Sequence, residues 1–268
     1  MTILIIPMAG RGQRFSEYKI PKPFLKLSNG NYMFVEAVNT FVRHENFDAV
    51  ILVILGSNKQ YIKNLGSLFD SKIPLHIAPV YINKVTEGQA QTCYLATKNL
   101  RGSSILISAC DNSAEYDHKK FYDSITNREQ NLIVIWTFDD PKEDLKEDPS
   151  SPSTYSWALI DQDDNIVEVH TKQKNNNNNE NYRYRPIVGT FYFSDSEYFN
   201  EGYRYIYDNN IRYNNELYIE NMFNYLIGPK GPKGPKGLII KNFSISKYIG
   251  WGIPKDYETN KFIYEINK

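Results

Sequence analysis

Short apolar runs alternate with helix-period patterns through the first half of this chain. Thr2 to Ile6 has the pattern of a strand covered on both faces, and it stops at Pro7. A polar stretch containing Gly10 and Gly12 follows, from Met8 to Lys22. Phe34, Ala37, Val38, Phe41 and Val42 then recur at helical spacing. Ala49 to Leu55 reads as a second strand, Tyr61 to Leu68 as a helical stretch, and Leu75 to Val80 as a third strand. Gly88 to Leu100 predicts a helix, and Ser104 to Ser108 and Leu132 to Phe138 predict two more strands. Strands separated by helices imply an α/β fold, with a mostly parallel central sheet and helices on both faces.

The second half is patterned differently. Tyr155 to Asp161, Asn165 to His170 and Ile187 to Phe193 read as sheet additions joined by longer loops. Helices are expected over Ser196 to Tyr207 and Glu216 to Ile227, then a strand over Leu238 to Phe243 and a last helix over Lys255 to Glu265. No linker separates the halves, so the expectation is one fused domain over residues 1–268. Two low-complexity tracts interrupt it: an asparagine run, Asn175 to Asn179, and three Gly-Pro-Lys units between Gly228 and Gly237. Both read as expanded surface loops, since so short a collagen-like run holds no triple helix.

Charge narrows the partners. Lys and Arg number 31 and Asp and Glu 31, so no global basic field favours nucleic acid. No apolar run approaches the roughly 20 residues of a spanning helix, and the N-terminus has no secretory pattern. The expectation is a cytoplasmic protein with no membrane partner. Cys93 and Cys110 have no metal-ligand spacing and read as buried reduced thiols.

The candidate chemistry begins in Ile6-Pro7-Met8-Ala9-Gly10-Arg11-Gly12-Gln13-Arg14-Phe15, followed by Lys19-Ile20-Pro21-Lys22-Pro23. A strand feeds a loop whose glycines can take positive φ and present backbone N–H groups to an anion. It is neither a Walker loop nor the dinucleotide fingerprint. Asp111 lies three residues beyond Ser108, at the carboxyl edge where an open α/β sheet binds its ligands. A carboxylate there can hold Mg²⁺, although Asp after a strand is also an ordinary turn residue.

The Ala-Gly-x-Gly-x-Arg segment with its later Pro-Lys pair resembles the signature of the sugar-phosphate nucleotidyltransferases. That resemblance implies a Rossmann-like, glycosyltransferase-A-like fold, with a nucleotide-binding part over about 1–140 and an acceptor-binding part over about 141–268. It implies that Arg14 and Lys22 contact the triphosphate and stabilise departing pyrophosphate, with Met8, Ala9, Gly10, Arg11 and Gly12 around the nucleotide. Asn83-Lys-Val-Thr-Glu-Gly-Gln-Ala-Gln-Thr92 is similar to the family's base-recognition loop, where Gly88 would let the base approach the backbone. Asn83 stands where relatives often carry a base-reading glutamine, so the base stays open.

Further blocks follow in the family's order. Tyr155 to Lys172 resembles its acceptor-side strand pair, which makes Lys172 the holder of the acceptor phosphate. Thr171 replaces the usual Glu there, and Ser156 the usual Gly. Gly189-Thr190-Phe191 resembles a strand beside the acceptor. Glu216 resembles a helix-opening acid that binds sugar hydroxyls, although the helix dipole explains such an acid equally well. His170 reads as an ordinary strand residue. By the resemblance Asp111 is a magnesium ligand, while the family's second metal-binding aspartate falls at Gly250, where there is no carboxylate.

The resemblance implies an enzyme that takes a nucleoside triphosphate and a phosphorylated small molecule, such as a sugar 1-phosphate, with Mg²⁺ as cofactor. The products are an NDP-sugar and pyrophosphate. A cytidylyltransferase for a non-sugar phosphate is the nearest alternative. A nucleotide-sugar-dependent glycosyltransferase would want an Asp-x-Asp motif, and only Asp161-Gln162-Asp163, in a hairpin-turn context, has the letters. An inactive nucleotide-binding regulator is the third class, motivated by Gly250. Self-association as a homo-oligomer stays open.

Overall fold

The computed structural model describes residues 2–69, 75–126, 131–139, 155–173, 180–228 and 238–263. Four strands of the first half, β1 (Thr2–Met8), β2 (Ala49–Leu55), β3 (Ile77–Ile82) and β4 (Ser104–Ser108), pair in parallel: β1 with both β2 and β4, and β2 with β3. β5 (Asn112–Glu115) leaves the main sheet, and β6 (Leu132–Thr137) rejoins it. From the second half come β7 (Trp157–Ile160), β8 (Ile166–His170), β9 (Arg183–Phe193), β10 (Ile239–Ser244) and β11 (Lys247–Gly250). The main path runs β10-β6-β9-β4-β1-β2-β3, so strands from both halves share one sheet. Only β9 runs against its neighbours on this path, antiparallel to β4 and β6.

Alternation along the strands sorts the apolar residues onto two faces. Ile3, Ile5, Ile51, Val53, Ile105 and Ile107 point to one side. They are covered there by α2 (Gln89–Thr97), α4 (Ser196–Asp208) and α5 (Phe223–Ile227). Leu4, Ile6, Leu52 and Leu106 point to the other, under α1 (Met33–Val42) and the Phe121 side chain of α3 (His118–Thr126). A strand buried on both faces needs apolar residues at every position, which is why β1 and β2 read as unbroken runs. A third, smaller cluster joins Phe15, Leu25, Leu27 and Met33 to Ile249, Trp251 and Tyr257, the last on α6 (Pro254–Asn260). It fastens the glycine-containing loop to the end of the chain.

β9 spans two pairings. Its C-terminal part pairs with β4 and β6, and its N-terminal part with β7, which also pairs with β8. The β6–β9 register shifts between Ile135 and Thr137, and Pro186 in that part of β9 has no N–H to give the ladder. β11 pairs with β5 in a separate two-stranded sheet.

Several expectations are corrected. The stretch expected as a helix from Tyr61 to Leu68 consists of two 3-10 turns, Gly56–Ile62 and Leu65–Leu68. The Ser67 hydroxyl donates to the Asn64 carbonyl at 2.8 Å, the local competition that keeps Asn and Ser out of α-helix. The helix expected from Glu216 is preceded by a tight turn with Asn214 and Asn215 at φ 48 and 62. Glu216 N donates to Tyr213 O at 2.9 Å, and a 3-10 turn, Ile219–Met222, separates this turn from α5. Glu216 therefore opens no helix. The last helix begins at Pro254 and ends at Asn260, and residues 264–265 of the expectation lie outside the described set. β5, α3 and β11 were not expected. The asparagine run and the Gly-Pro-Lys units also lie outside the described residues, apart from Gly228. Among the described residues, no helix is long and apolar enough to cross a membrane.

One joint binds the halves directly. Gly88 has φ +146, and a Cβ there would sit 2.4 Å from Leu217 O and 2.6 Å from Leu217 N. Ala90 N donates to Leu217 O at 3.0 Å, and Leu217 N to Glu87 O at 2.7 Å. Glycine is required here by backbone against backbone. Gly88→Ala is expected to cost about 3 kcal/mol or more through strain and clash. Denaturant unfolding checks this: a midpoint equal to the parent's would mean that the two backbones part freely.

Candidate active site

The carboxyl ends of β1 and β4 open into the same space. After Met8 the chain turns at Gly12, in the left-handed conformation at φ 60, and enters a 3-10 turn, Gln13–Phe15. Phe15 N donates to Gly12 O at 2.8 Å. Phe15 is buried, its ring 5.3 Å from Tyr18 and 6.2 Å from Tyr257, centroid to centroid. Burial of the aromatic at 15 leaves Gly10, Arg11, Gly12 and Arg14 exposed on the open side. Phe24, buried in a second 3-10 turn, Lys22–Phe24, in turn fixes the root of Lys22.

Lys22 Nζ forms an ion pair with Asp111 Oδ2 and donates to Gly252 O at 3.3 Å. Trp251 N donates to Asp111 O at 2.8 Å, so the residue after β11 closes on the same aspartate. Burial alone would raise the Asp111 carboxyl. The opposing pull of Lys22, then of Lys172 and Arg14, holds it below its ordinary 3.8. Three cations thus converge on one carboxylate, and that carboxylate stays charged.

Gly250 carries no side chain for a reason visible in its surroundings. A Cβ there would lie 2.7 Å from Tyr248 Cε1. The Tyr248 ring is held in place by stacking on Phe138 at 4.6 Å and 10°, with Tyr155 edge-on at 5.9 Å. Gly252 comes close to Asp111 from the other side: its Cβ would be 3.4 Å from Oδ2.

In the second half of the chain Lys172 sits in the left-handed region at φ 54, and its N–H donates to Ser156 Oγ at 3.3 Å. Its Nζ lies 5.6 Å from the centroid of the Tyr218 ring. Gly189 O accepts from Ala109 N at 3.2 Å, and Asn112 Nδ2 donates to Val188 O at 3.0 Å. These contacts tie β9 to the segment carrying Asp111. His170 is on β8, opposite Trp157, with Nε2 3.4 Å from Glu168 Oε2.

The space enclosed is a cleft of about 590 Å³. Of the residues singled out from sequence, Met8, Gly10, Arg11, Gly12, Arg14, Lys22, Gly88, Asp111, Lys172, Gly189 and Glu216 line it. Ala9, Asn83 and Ser156 lie outside its lining: Ala9 and Ser156 are buried behind it, and Asn83 is exposed. Ser156 reaches the cleft only through its bond to the Lys172 backbone. The lining also includes residues that sequence reasoning passed over: Asn58, Tyr61, Thr86, Gln89 and Thr92, and on the acceptor side Tyr155, Tyr218, Glu220, Tyr248 and Asp256. Thr86 and Gln89 flank Gly88 and could have been picked out by that proximity. Asp256, in the first turn of α6, has its carboxyl raised by burial. Cys110 is half-buried at the cleft wall, its thiol pushed up to about 12 by burial and then by Asp111, and Cys93 is fully buried.

No family model matches the sequence, and no curated protein matches it. Solved structures do. A nucleoside-diphosphate-sugar pyrophosphorylase from Vibrio cholerae RC9 superposes with TM-score 0.71 at 20% identity, over 96% of this chain and 99% of that one. The inositol-1-phosphate CTP transferase from T. maritima gives TM-score 0.66 at 14% identity, over 100% and 96%. HddC from Yersinia pseudotuberculosis gives 0.63 at 18%, over 98% and 99%. The chain has the α/β fold of these proteins along its whole length.

The ion pair makes a titration prediction. With Lys22→Met the Asp111 carboxyl should move upward, because burial then acts with less opposition. A carboxyl with a depressed folded value gives stability that is full above its ordinary 3.8 and lost as pH falls through the folded value. The variant should therefore begin acid unfolding at higher pH. Carboxyl ¹³C titration checks the assignment, and an Asp111 curve unmoved by the substitution would contradict it.

Proposed function

We propose that this protein is a nucleotidyltransferase that moves a nucleoside monophosphate from a nucleoside triphosphate to a phosphorylated small molecule. The proposed acceptor is a sugar 1-phosphate, with an NDP-sugar and pyrophosphate as products. One observation carries this reading: Arg14 and Lys22 from the loop after β1, and Lys172 from the acceptor side, all act on Asp111 at the carboxyl rim. A cleft that concentrates cations on one carboxylate is suited to two polyanions that must meet.

The acceptor phosphate is already ionised near neutral pH, so attack at the α-phosphorus needs no general base. The obstacle is repulsion between acceptor and triphosphate. Lys172 would take the acceptor phosphate, and the Gly10–Gly12 backbone with Arg14 the triphosphate. Lys22 would shift from Asp111 toward the departing pyrophosphate. Fixed positive charge aimed where negative charge develops lowers the barrier without covalent chemistry.

Mg²⁺ fits the donor set. Among the described residues, no group of three His, Cys, Asp or Glu forms a dedicated metal cage. Magnesium in phosphoryl-transfer sites needs only one or two carboxylates, with phosphates and water completing its shell. Asp111 is the first of these, and Asp256 in the same cleft is the second candidate. When bound, the ion would neutralise phosphate oxygens.

A glycosyltransferase is disfavoured by the hairpin between β7 and β8. There Asp161 is consumed by its own turn, accepting from Asp163 N at 2.9 Å, Asn165 N at 2.8 Å and Asn165 Nδ2 at 2.7 Å. The base, and the choice between sugar and non-sugar acceptors, are questions for one screen. Each NTP with Mg²⁺ is tested against sugar 1-phosphates and other phosphorylated small molecules, reading pyrophosphate. Release with at least one pair is expected, and nucleotide binding without turnover across the panel would refute the transferase. In the active pair, Arg14→Ala should lower kcat/KM about 100-fold, the usual loss for one preorganised charge near 3 kcal/mol. Asp111→Asn should shift the Mg²⁺ titration to higher concentration. Wild-type behaviour in both variants would remove them from the site.

A further inference from the structure

Glu220 is the residue in the cleft that the phosphate chemistry leaves unexplained. It stands in the 3-10 turn Ile219–Met222 and lines the cleft with Tyr218 and Lys172, yet it is only 6% exposed. Its Oε2 is buried and has no hydrogen-bond partner, and among the described residues no cation pairs with it. The nearby donors are engaged elsewhere. Lys22 is on Asp111, the Lys172 ammonium lies over the Tyr218 ring, and the Tyr218 hydroxyl donates to Glu216. Burying a carboxylate without a donor is costly, and its retention beside the acceptor lysine points to a donor brought by a ligand.

We infer, on the basis of the transferase reading above, that Glu220 is an acceptor-specificity residue: it takes an O–H or N–H donor on the non-phosphate part of the acceptor. The acceptor phosphate on Lys172 directs the rest of that molecule toward Tyr218 and Glu220. The chemical class is thus a phosphorylated molecule carrying hydroxyl or amino groups. An acceptor whose head group carries no hydroxyl, no amine and no positive charge gains nothing from Glu220. Glu216, exposed in its tight turn, and Glu220, buried in the cleft wall, differ in this respect. Of the two, only Glu220 has a carboxylate oxygen that is both buried and without a partner.

Glu220→Gln keeps the shape and removes the charge, and two readouts are compared. The ligand-free variant should melt no lower than the parent, with a rise of about 2–4 °C, because an amide is cheaper to bury than an unpaired carboxylate. With a hexose 1-phosphate or an amino-sugar 1-phosphate as acceptor, the acceptor KM should rise about 10-fold with the NTP KM unchanged. Whichever of the two loses more identifies the donor as hydroxyl or ammonium. A variant that melts several degrees lower would show a structural carboxylate and overturn the inference. So would turnover with an unchanged acceptor KM. Absence of pyrophosphate release by the parent with every pair would sink the transferase reading instead, and the melting comparison would then decide whether Glu220 is unpaired.

Discussion

The ion pair between Lys22 and Asp111 is the constraint around which the rest of the cleft is arranged. It joins residues 89 positions apart in sequence, and Trp251 N closes on the same aspartate. Three segments that share no secondary structure are thereby held within one hydrogen-bond shell: the loop after β1, the end of β4 and the chain after β11. Neither charge could be buried alone at reasonable cost. Together they are tolerated, and the cluster of Phe15, Trp251 and Tyr257 beneath them supplies the apolar support that a polar loop cannot generate. Lysine and arginine side chains from these segments thereby share one cleft before any ligand enters it.

The sheet explains why these residues meet. β1 and β4 are parallel neighbours, so their carboxyl ends emerge side by side, and the loops that leave them open onto the same solvent. β9 passes against β4 in the opposite direction and delivers Gly189 beside Ala109. The antiparallel strand thus carries residues of the second half to the same rim that the parallel strands form. The Gly88–Leu217 joint performs a similar service on the other face, where it docks the N-terminus of α2 against the turn that carries Glu216 and Tyr218.

Much of this was legible in the sequence wherever burial dictates composition. β1, β2 and β4 are covered on both faces and could only be apolar runs, and α1 shows its buried stripe in Phe34, Val38 and Phe41. Elements were missed where burial is slight. α3 buries only Phe121, and β5 and β11 pair with each other outside the main sheet. The positions of Arg14, Lys22, Asp111 and Lys172 followed from local motifs. Ser156 could be named from its motif, but its bond to the Lys172 backbone depends on the β7–β8 pairing. Glu220 was not picked out at all, because the absence of a partner is a property of packing and leaves no mark on spacing.

Position 250 shows the limit most plainly. Read along the chain, its glycine is a missing carboxylate. Read in space, it is the consequence of a tyrosine two residues earlier, whose ring lies where a side chain at 250 would begin. In the present packing, a side chain at 250 and the Tyr248 ring stacked on Phe138 exclude each other, so the glycine and the aromatic wall are one structural feature. Electrostatically, Arg14, Lys22 and Lys172 act on Asp111, while Glu216, Glu220 and Asp256 stand elsewhere in the lining. Each fixed anion subtracts from the cationic field of such a cleft, so an uncharged residue at 250 leaves that field undiminished. The rings of Tyr155 and Tyr248 then bound this part of the cleft by shape, while Lys172, Glu216 and Glu220 add charge to its lining.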